Sequence, residues 1–396
     1  MRRLGKWLVV ACIAGLLAVP FVVSLVRGDV RASEGLNGVQ LPQEVPRLTC
    51  ASLLDGTWQE ETAAYRAARL PFRADAIRSF DTLDYWLFHH TYMNEGKMLV
   101  GRGGWLYETI YPEPYVRDIH SEEELAALFA RLRAVELTLE EKYGKRFLFV
   151  ISPSKAYTDP EHLPAAYAPF VAGKGMREYG YLVRALEVAQ IPFVDGQALA
   201  LEQKAGGIPA FGLAGTHWNG YTAARTMERV LDRLALPYVP VGAPHESAVK
   251  QTQTDDDLLQ LANLHHRAWP HISYLALDLA GAGGPQMARE DVSLALIAGS
   301  FGWTLWDYAL YWDPVFSRMD MEYYYQLGHK TAVRRAPGSA PLYDVQEDSA
   351  QALGKENDDA VWKQRLLSHD VIVVECNAQL EVRHIEAFVA RAERVL

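Results

Sequence analysis

The sequence predicts an α/β sandwich, a mainly parallel sheet with helices on both faces, preceded by an N-terminal membrane helix. Three observations carry that expectation. Several apolar runs are continuous and not alternating, as strands covered on both faces must be. Helix-periodic segments separate those runs, the alternation that builds a parallel sheet. The chain also opens on an apolar stretch long enough to span a bilayer.

That stretch comes first. Arg2, Arg3 and Lys6 precede a run from Trp7 to Val26, broken only by Gly15, Pro20 and Ser24. About 20 residues at ~1.5 Å each cover a hydrocarbon core. The basic start orients the N-terminus to the cytoplasm, although Arg27 and Arg31 reduce the asymmetry. A cleaved signal peptide is the competing reading, but Val30-Arg31-Ala32 matches an A-x-A cleavage site poorly. We therefore expect residues 1–27 to be an anchor or uncleaved signal and residues 28–84 a spacer and entry segment. Residues 85–396 are expected to form a domain held outside the cytoplasm, periplasmic or at the cell surface. A net charge of −10 argues against nucleic acid as partner. Cys50 and Cys376 are either one disulfide or two buried thiols, and no cysteine spacing suits a metal.

Within the domain, Ser121 and Glu124 read as a capping box opening a helix that runs to about Tyr143, ended by Gly144. Arg146–Ser152 is a buried strand, Arg177–Ala189 a helix, and Ile191–Val194 a strand ending at Asp195. A helix starts near Asn219 and places Met227, Val230, Leu231 and Leu234 on one face. Val292–Ala298 and Asp370–Val374 are further apolar strands, and Val382–Val395 closes the chain as a helix. Parallel sheets place their chemistry in loops beyond the carboxyl ends of the strands. The search therefore narrows to Ser154 and Lys155, Asp195, Ser300, and Glu375 with Asn377.

Gly299-Ser300-Phe301-Gly302 stands out, because small residues around a serine allow a sharp strand-to-helix turn that exposes the hydroxyl. The N–H groups at the start of the following helix then suit an oxyanion. A plain helix cap is the bland alternative. His217, in Gly215-Thr216-His217-Trp218-Asn219, sits just before a helix and is the base that such a serine needs. The pairs His89-His90 and His265-His266 do not face one ion as an i, i+4 pair does, so no metal and no other cofactor is expected. Trp303, Trp306, Tyr308, Tyr311, Trp312 and Tyr323-Tyr324-Tyr325 make an aromatic region after Ser300, suited either to sugar rings or to packing.

These pieces together resemble the AlgJ/AlgX family of polysaccharide O-acetyltransferases, with a layout like that of AlgJ. The resemblance lies in Gly101-Arg102-Gly103-Gly104-Trp105-Leu106-Tyr107, in Pro153-Ser154-Lys155 followed by Glu161-His162-Leu163-Pro164, in Thr216-His217-Trp218-Asn219, and in Gly299-Ser300-Phe301. It implies an SGNH-hydrolase-like domain with Ser300 as nucleophile and His217 as base. It also implies a polysaccharide substrate and a membrane-bound O-acyltransferase partner as acetyl donor. Lys155, Trp218 and Tyr308 are the substrate-binding candidates. Two positions depart from the family pattern: the acid two residues before the histidine is Gly215, and the residue before the serine is Gly299. The triad acid must then come from elsewhere, with Asp257 the first candidate and Glu375 the second, or the site works as a dyad. A carbohydrate acetylesterase and a catalytically silent polysaccharide-binding scaffold are the rival functions.

Overall fold

The computed structural model describes residues 44–89, 97–250, 252–264, 273–277, 291–311, 315–336, 341–379 and 381–396, with residue 339 and scattered positions before 44. The chain forms two compact units. The first comprises residues 1–98 and 258–270, the second 99–257 and 271–396. The first holds helices Cys50–Leu54 and Thr57–Ala68 within the segment expected as spacer and entry, and Arg73–Phe88, which runs past its expected end at residue 84. The expected anchor Trp7–Val26 lies partly outside the described residues, as do His90 and His265-His266. Among the described residues no helix is long and apolar enough to cross a membrane.

The second unit is built on a seven-stranded sheet. Its strands are β1 (Arg146–Ser152), β2 (Phe193–Asp195), β3 (Ser293–Ala298), β4 (Arg318–Tyr323), β5 (Gly328–Arg334), β6 (Tyr343–Glu347) and β7 (Val371–Asn377). They lie in the order β6-β5-β4-β3-β7-β1-β2. The strands from β4 to β2 in this order are parallel, whereas β5 and β6 are antiparallel. The sheet is therefore mixed: its centre is parallel as expected, and an antiparallel edge that was not expected completes it. Its cause is local. Only Tyr324–Leu327 separates β4 from β5, and so short a link allows a hairpin but no crossover.

Helices α1 (Glu122–Leu137), α2 (Arg177–Ala189), α3 (Gly220–Arg233), α4 (Gly302–Tyr311) and α5 (Arg383–Val395) flank the sheet in sequence. Helix α1 starts at the Ser121–Glu124 capping box and buries Leu125, Leu128, Phe129, Leu132 and Val135, one face at helical spacing. A π-helical turn, Thr138–Lys142, extends it until Gly144 takes φ +64° and ends the run. The central strands β3 and β7 are buried along their whole length, as their unbroken apolar sequences require. Parallel pairing places Ser152, Asp195, Ala298 and Asn377 at one edge, with Asn377 directly beside Ser152. Cys50 and Cys376 are both free thiols; Cys376 is buried and its thiol donates to Asn377 O at 3.3 Å.

Candidate active site

At the end of β3 the chain turns through Gly299, Ser300 and Phe301 into α4. The turn is closed by Gly302 N donating to Gly299 O at 3.2 Å and Trp303 N to Ser300 O at 3.3 Å. A Cβ at residue 302 would stand 2.3 Å from Ala298 Cβ, so only glycine fits there. Beneath the turn lies Glu375. Its Oε2 accepts from Gly299 N at 2.9 Å and its Oε1 from the Ser152 hydroxyl. Glu375 therefore braces the serine turn, and it is not the hydrogen-bonded partner of His217. Burial pushes its carboxyl up to about 7. The native state then keeps a proton that the unfolded chain releases above about 4.5, so this group costs stability as pH rises between those values. Relative to the wild type, Glu375→Gln is expected to gain on the order of 1–3 kcal/mol at pH 8 over its value at pH 5. Urea unfolding at the two pH values reads this difference, and equal pH dependence of the two proteins would refute it.

The histidine loop is shaped from both sides. Asn219 caps α3 by accepting from Thr222 N at 2.9 Å, while its own N–H donates to Ala210 O at 2.8 Å. His217 then presents Nδ1 to Asp257 Oδ2 at 2.7 Å, and Asp257 Oδ1 accepts from Thr216 N, also at 2.7 Å. A carboxylate on Nδ1 holds the proton there and leaves Nε2 as a lone-pair acceptor. That Nε2 is buried and makes no hydrogen bond. The imidazole packs 4.7 Å from the ring of Phe301, the residue after Ser300. The Trp218 indole N–H donates to Phe301 O at 3.1 Å. Both neighbours in the histidine loop thus grip the serine turn.

Gly215 explains how the acid arrives from so far along the chain. A Cβ at this position would lie 2.7 Å from Thr254 O and 2.9 Å from Asp255 O. The backbone before Asp257 occupies the space from which an acid at 215 would grow. Of the run Asp255-Asp256-Asp257, Asp255 accepts from Thr252 N at 3.0 Å and Asp256 pairs with Lys250 at 2.8 Å. Asp257 is the member that reaches the imidazole.

The three substrate-binding candidates take other places. Lys155 is 1% exposed, and its ammonium donates to Leu106 O at 2.8 Å, Leu213 O at 3.0 Å and Gly215 O at 2.8 Å. It also lies about 5 Å from the ring centres of Trp105 and Tyr107. Burial pushes it down to about 7 against the pull of Asp257 and Asp159. Lys155 is a tie between the Gly-rich segment and the histidine loop, with no donor left for a ligand. Trp218 is wholly buried as the bracket just described, and Tyr308 is 6% exposed on the inner side of α4. Tyr111 and Glu381 were not among the sequence candidates, whereas Tyr324 belongs to the aromatic region noted after Ser300. Tyr111 packs edge-on against Phe301 at 5.8 Å, and the Tyr324 hydroxyl donates to Glu381 Oε2 at 2.7 Å. The only signal for Tyr324 was its membership of the tyrosine run.

Residues 98–277 match a family model described as the SGNH hydrolase-like domain of acetyltransferase AlgX, a span that contains His217 and Asp257 and stops before Ser300. No curated protein sequence matches the chain. Among solved structures, the O-acetyltransferase domain of Pseudomonas putida AlgJ is similar at 17% identity, over 75% of this chain and 98% of that one, with a TM-score of 0.43. Pseudomonas aeruginosa AlgX is similar at 15% identity, over 74% and 67%, with a TM-score of 0.42. Bacillus cereus PatB1 with a sulfonyl adduct is similar at 9% identity, over 73% and 96%, with a TM-score of 0.43. The match over residues 98–277, less than half of the chain, supports an AlgJ/AlgX-like O-acetyltransferase family for this protein.

Proposed function

We propose that this protein transfers acetyl groups to hydroxyls of an exported polysaccharide through an acyl-enzyme on Ser300. The observation that carries the reading is the His217–Asp257 pair at 2.7 Å, its Nε2 unspent and its ring against Phe301 beside the serine. His217 Nε2 takes the Ser300 proton as Oγ attacks the acetyl carbonyl, and then returns it to the leaving group. The acceptor hydroxyl next attacks the acetyl-serine and gives its proton to Nε2; the Oγ–acetyl bond breaks, and Nε2 passes that proton to Ser300 Oγ. Closing the turn uses the N–H groups of Gly302 and Trp303, which leaves those of Ser300 and Phe301 for the oxyanion. Asp257 supplies the acid whose absence from position 215 would otherwise favour a silent scaffold.

In this reading the N-terminal run is an anchor that keeps the domain outside the cytoplasm. It stands near a membrane-bound O-acyltransferase that delivers acetyl across the bilayer, since acetyl-CoA does not serve there. Ser300→Ala and His217→Ala are each expected to abolish acetylation of the polymer in cells. Normal acetylation in both variants would overturn the proposal. Incubation with an activated acetyl ester and oligosaccharides separates transfer from hydrolysis: acetylated sugar is expected, and acetate alone would make the protein an esterase.

A further inference from the structure

Tyr111 keeps a hydroxyl that the protein does not use. The residue is 5% exposed, and its ring packs edge-on against Phe301 with centres 5.8 Å apart. Among the described residues its hydroxyl makes no hydrogen bond, yet the atom is not sealed from solvent. Buried polar groups are as a rule paired, so a buried phenol that ends at open space calls for a partner from outside. Its neighbours in the same segment behave otherwise: the Tyr107 hydroxyl donates to Asp159 O at 2.8 Å and that of Tyr115 to Ala156 O at 3.2 Å. The placement of Tyr111 is built in. It follows the strand Leu106–Glu108, whose Leu106 N donates to Leu213 O at 3.0 Å, and Lys155 ties Leu106 O to Gly215 O. The segment is thus fastened to the histidine loop. A turn closed by Tyr111 N donating to Glu108 O at 3.2 Å then sets the ring on Phe301.

The other flank of the serine turn carries an acceptor. The edge of the Tyr324 ring lies 3.3 Å from where a Cβ of residue 299 would be, and its hydroxyl donates to Glu381 Oε2 at 2.7 Å. Glu381 is exposed, and its Oε1 has no partner among the described residues. Gly299 and Phe301 bracket Ser300 in the chain, so a donor stands on one side of the nucleophile and a carboxylate on the other. Burial first, and then Glu108, the Tyr324 phenol, Glu381 and Asp257, hold the Tyr111 hydroxyl well above the usual phenol range, which keeps it a donor. A sugar hydroxyl both gives and accepts a proton and suits such a pair. A uronate carboxylate only accepts, and it would meet the charge of Glu381.

We propose that the Tyr111 hydroxyl and the Glu381 carboxylate bind the acceptor sugar beside Ser300, and that this sugar is uncharged and not a uronate. The proposal rests on the reading of Ser300 and His217 given above and names the class of its acceptor.

The test uses the full chain with an activated acetyl ester and tetrasaccharides of glucose, galactose and mannose, each beside its uronate. Wild type is expected to acetylate a neutral sugar of the panel in preference to the matching uronate. Tyr111→Phe keeps the ring on Phe301 and removes the donor. Its KM for that neutral sugar is expected to rise about three- to tenfold, the worth of one hydrogen bond, with kcat changing less. Glu381→Gln is expected to narrow the preference for the neutral sugar about two- to fivefold, the weight of one exposed charge. Labelling of Ser300 by a fluorophosphonate, in which an Oγ–P bond forms and fluoride leaves, reads the nucleophile without any sugar. If wild type labels but prefers the uronates or releases only acetate with every sugar, the proposal is overturned while Ser300 stands. The same holds if either variant leaves its quantity unchanged. Labelling and transfer lost in step in Tyr111→Phe would make the tyrosine a support of the serine turn, and the proposal falls. If wild type does not label at Ser300, the catalytic reading falls and the acceptor site with it.

Discussion

Asp257→Asn is expected to lower acetyl transfer about 10³–10⁴-fold without unfolding the protein. The carboxylate serves two donors, Thr216 N–H and His217 Nδ1–H, each at 2.7 Å. An asparagine has one carbonyl oxygen for both. If that oxygen stays on Thr216, the imidazole faces an NH₂ group and places its proton on Nε2, where it cannot accept from Ser300. If the amide turns the other way, Thr216 N–H is left facing a donor and the loop shifts. Either way the ring loses the negative charge that stabilises the imidazolium. Adding the acid back as Gly215→Asp is expected not to rescue the variant, since its Cβ would meet Thr254 O at 2.7 Å. Initial rates with an activated ester and an oligosaccharide acceptor measure both effects. Activity of Asp257→Asn within threefold of wild type would make the site a dyad and reduce Asp257 to a loop clamp.

Lys155→Met is expected to cost about 2 kcal/mol or more of stability, because the buried carbonyls of Leu106 and Gly215 lose the ammonium as donor, while Leu213 O keeps only Leu106 N–H. Methionine fills the lysine volume, so a cavity does not account for the loss. Gly215 O is one of the three acceptors and lies two residues before His217, so the variant is also expected to lose activity under conditions where it remains folded. Denaturant unfolding followed by tryptophan fluorescence gives the first quantity. A midpoint shift worth less than about 0.5 kcal/mol, the range of an ordinary surface change, would show that Lys155 is no tie.

How much of this was legible in the linear chain follows from the physics of each element. Strands β1, β3 and β7 announce themselves because strands buried on both faces need unbroken apolar runs. Strands β4 to β6 do not. Arg318-Met319-Asp320-Met321-Glu322 alternates charged with apolar residues; beside Arg318 of its own strand at 2.6 Å, Asp320 has the distant His369 at 3.0 Å, and Glu322 has His329 at 2.9 Å. No local pattern foretells the histidine pairings. Lys155 misled for the related reason that a lysine past a strand end looks like a ligand-binding group until the carbonyls around it are known.

By itself, then, the sequence determined the sheet's parallel centre, the serine and histidine at its edge, and the absence of an acid at position 215. Those are statements about residue type and local periodicity, which the chain carries in order. What only the tertiary structure decided is which of the two candidate carboxylates reaches the imidazole: Asp257, the first candidate, and not Glu375, which holds Gly299 N. Asp255, Asp256 and Asp257 are chemically alike, and three-dimensional packing against a glycine that yields its space turns the last of them toward the imidazole.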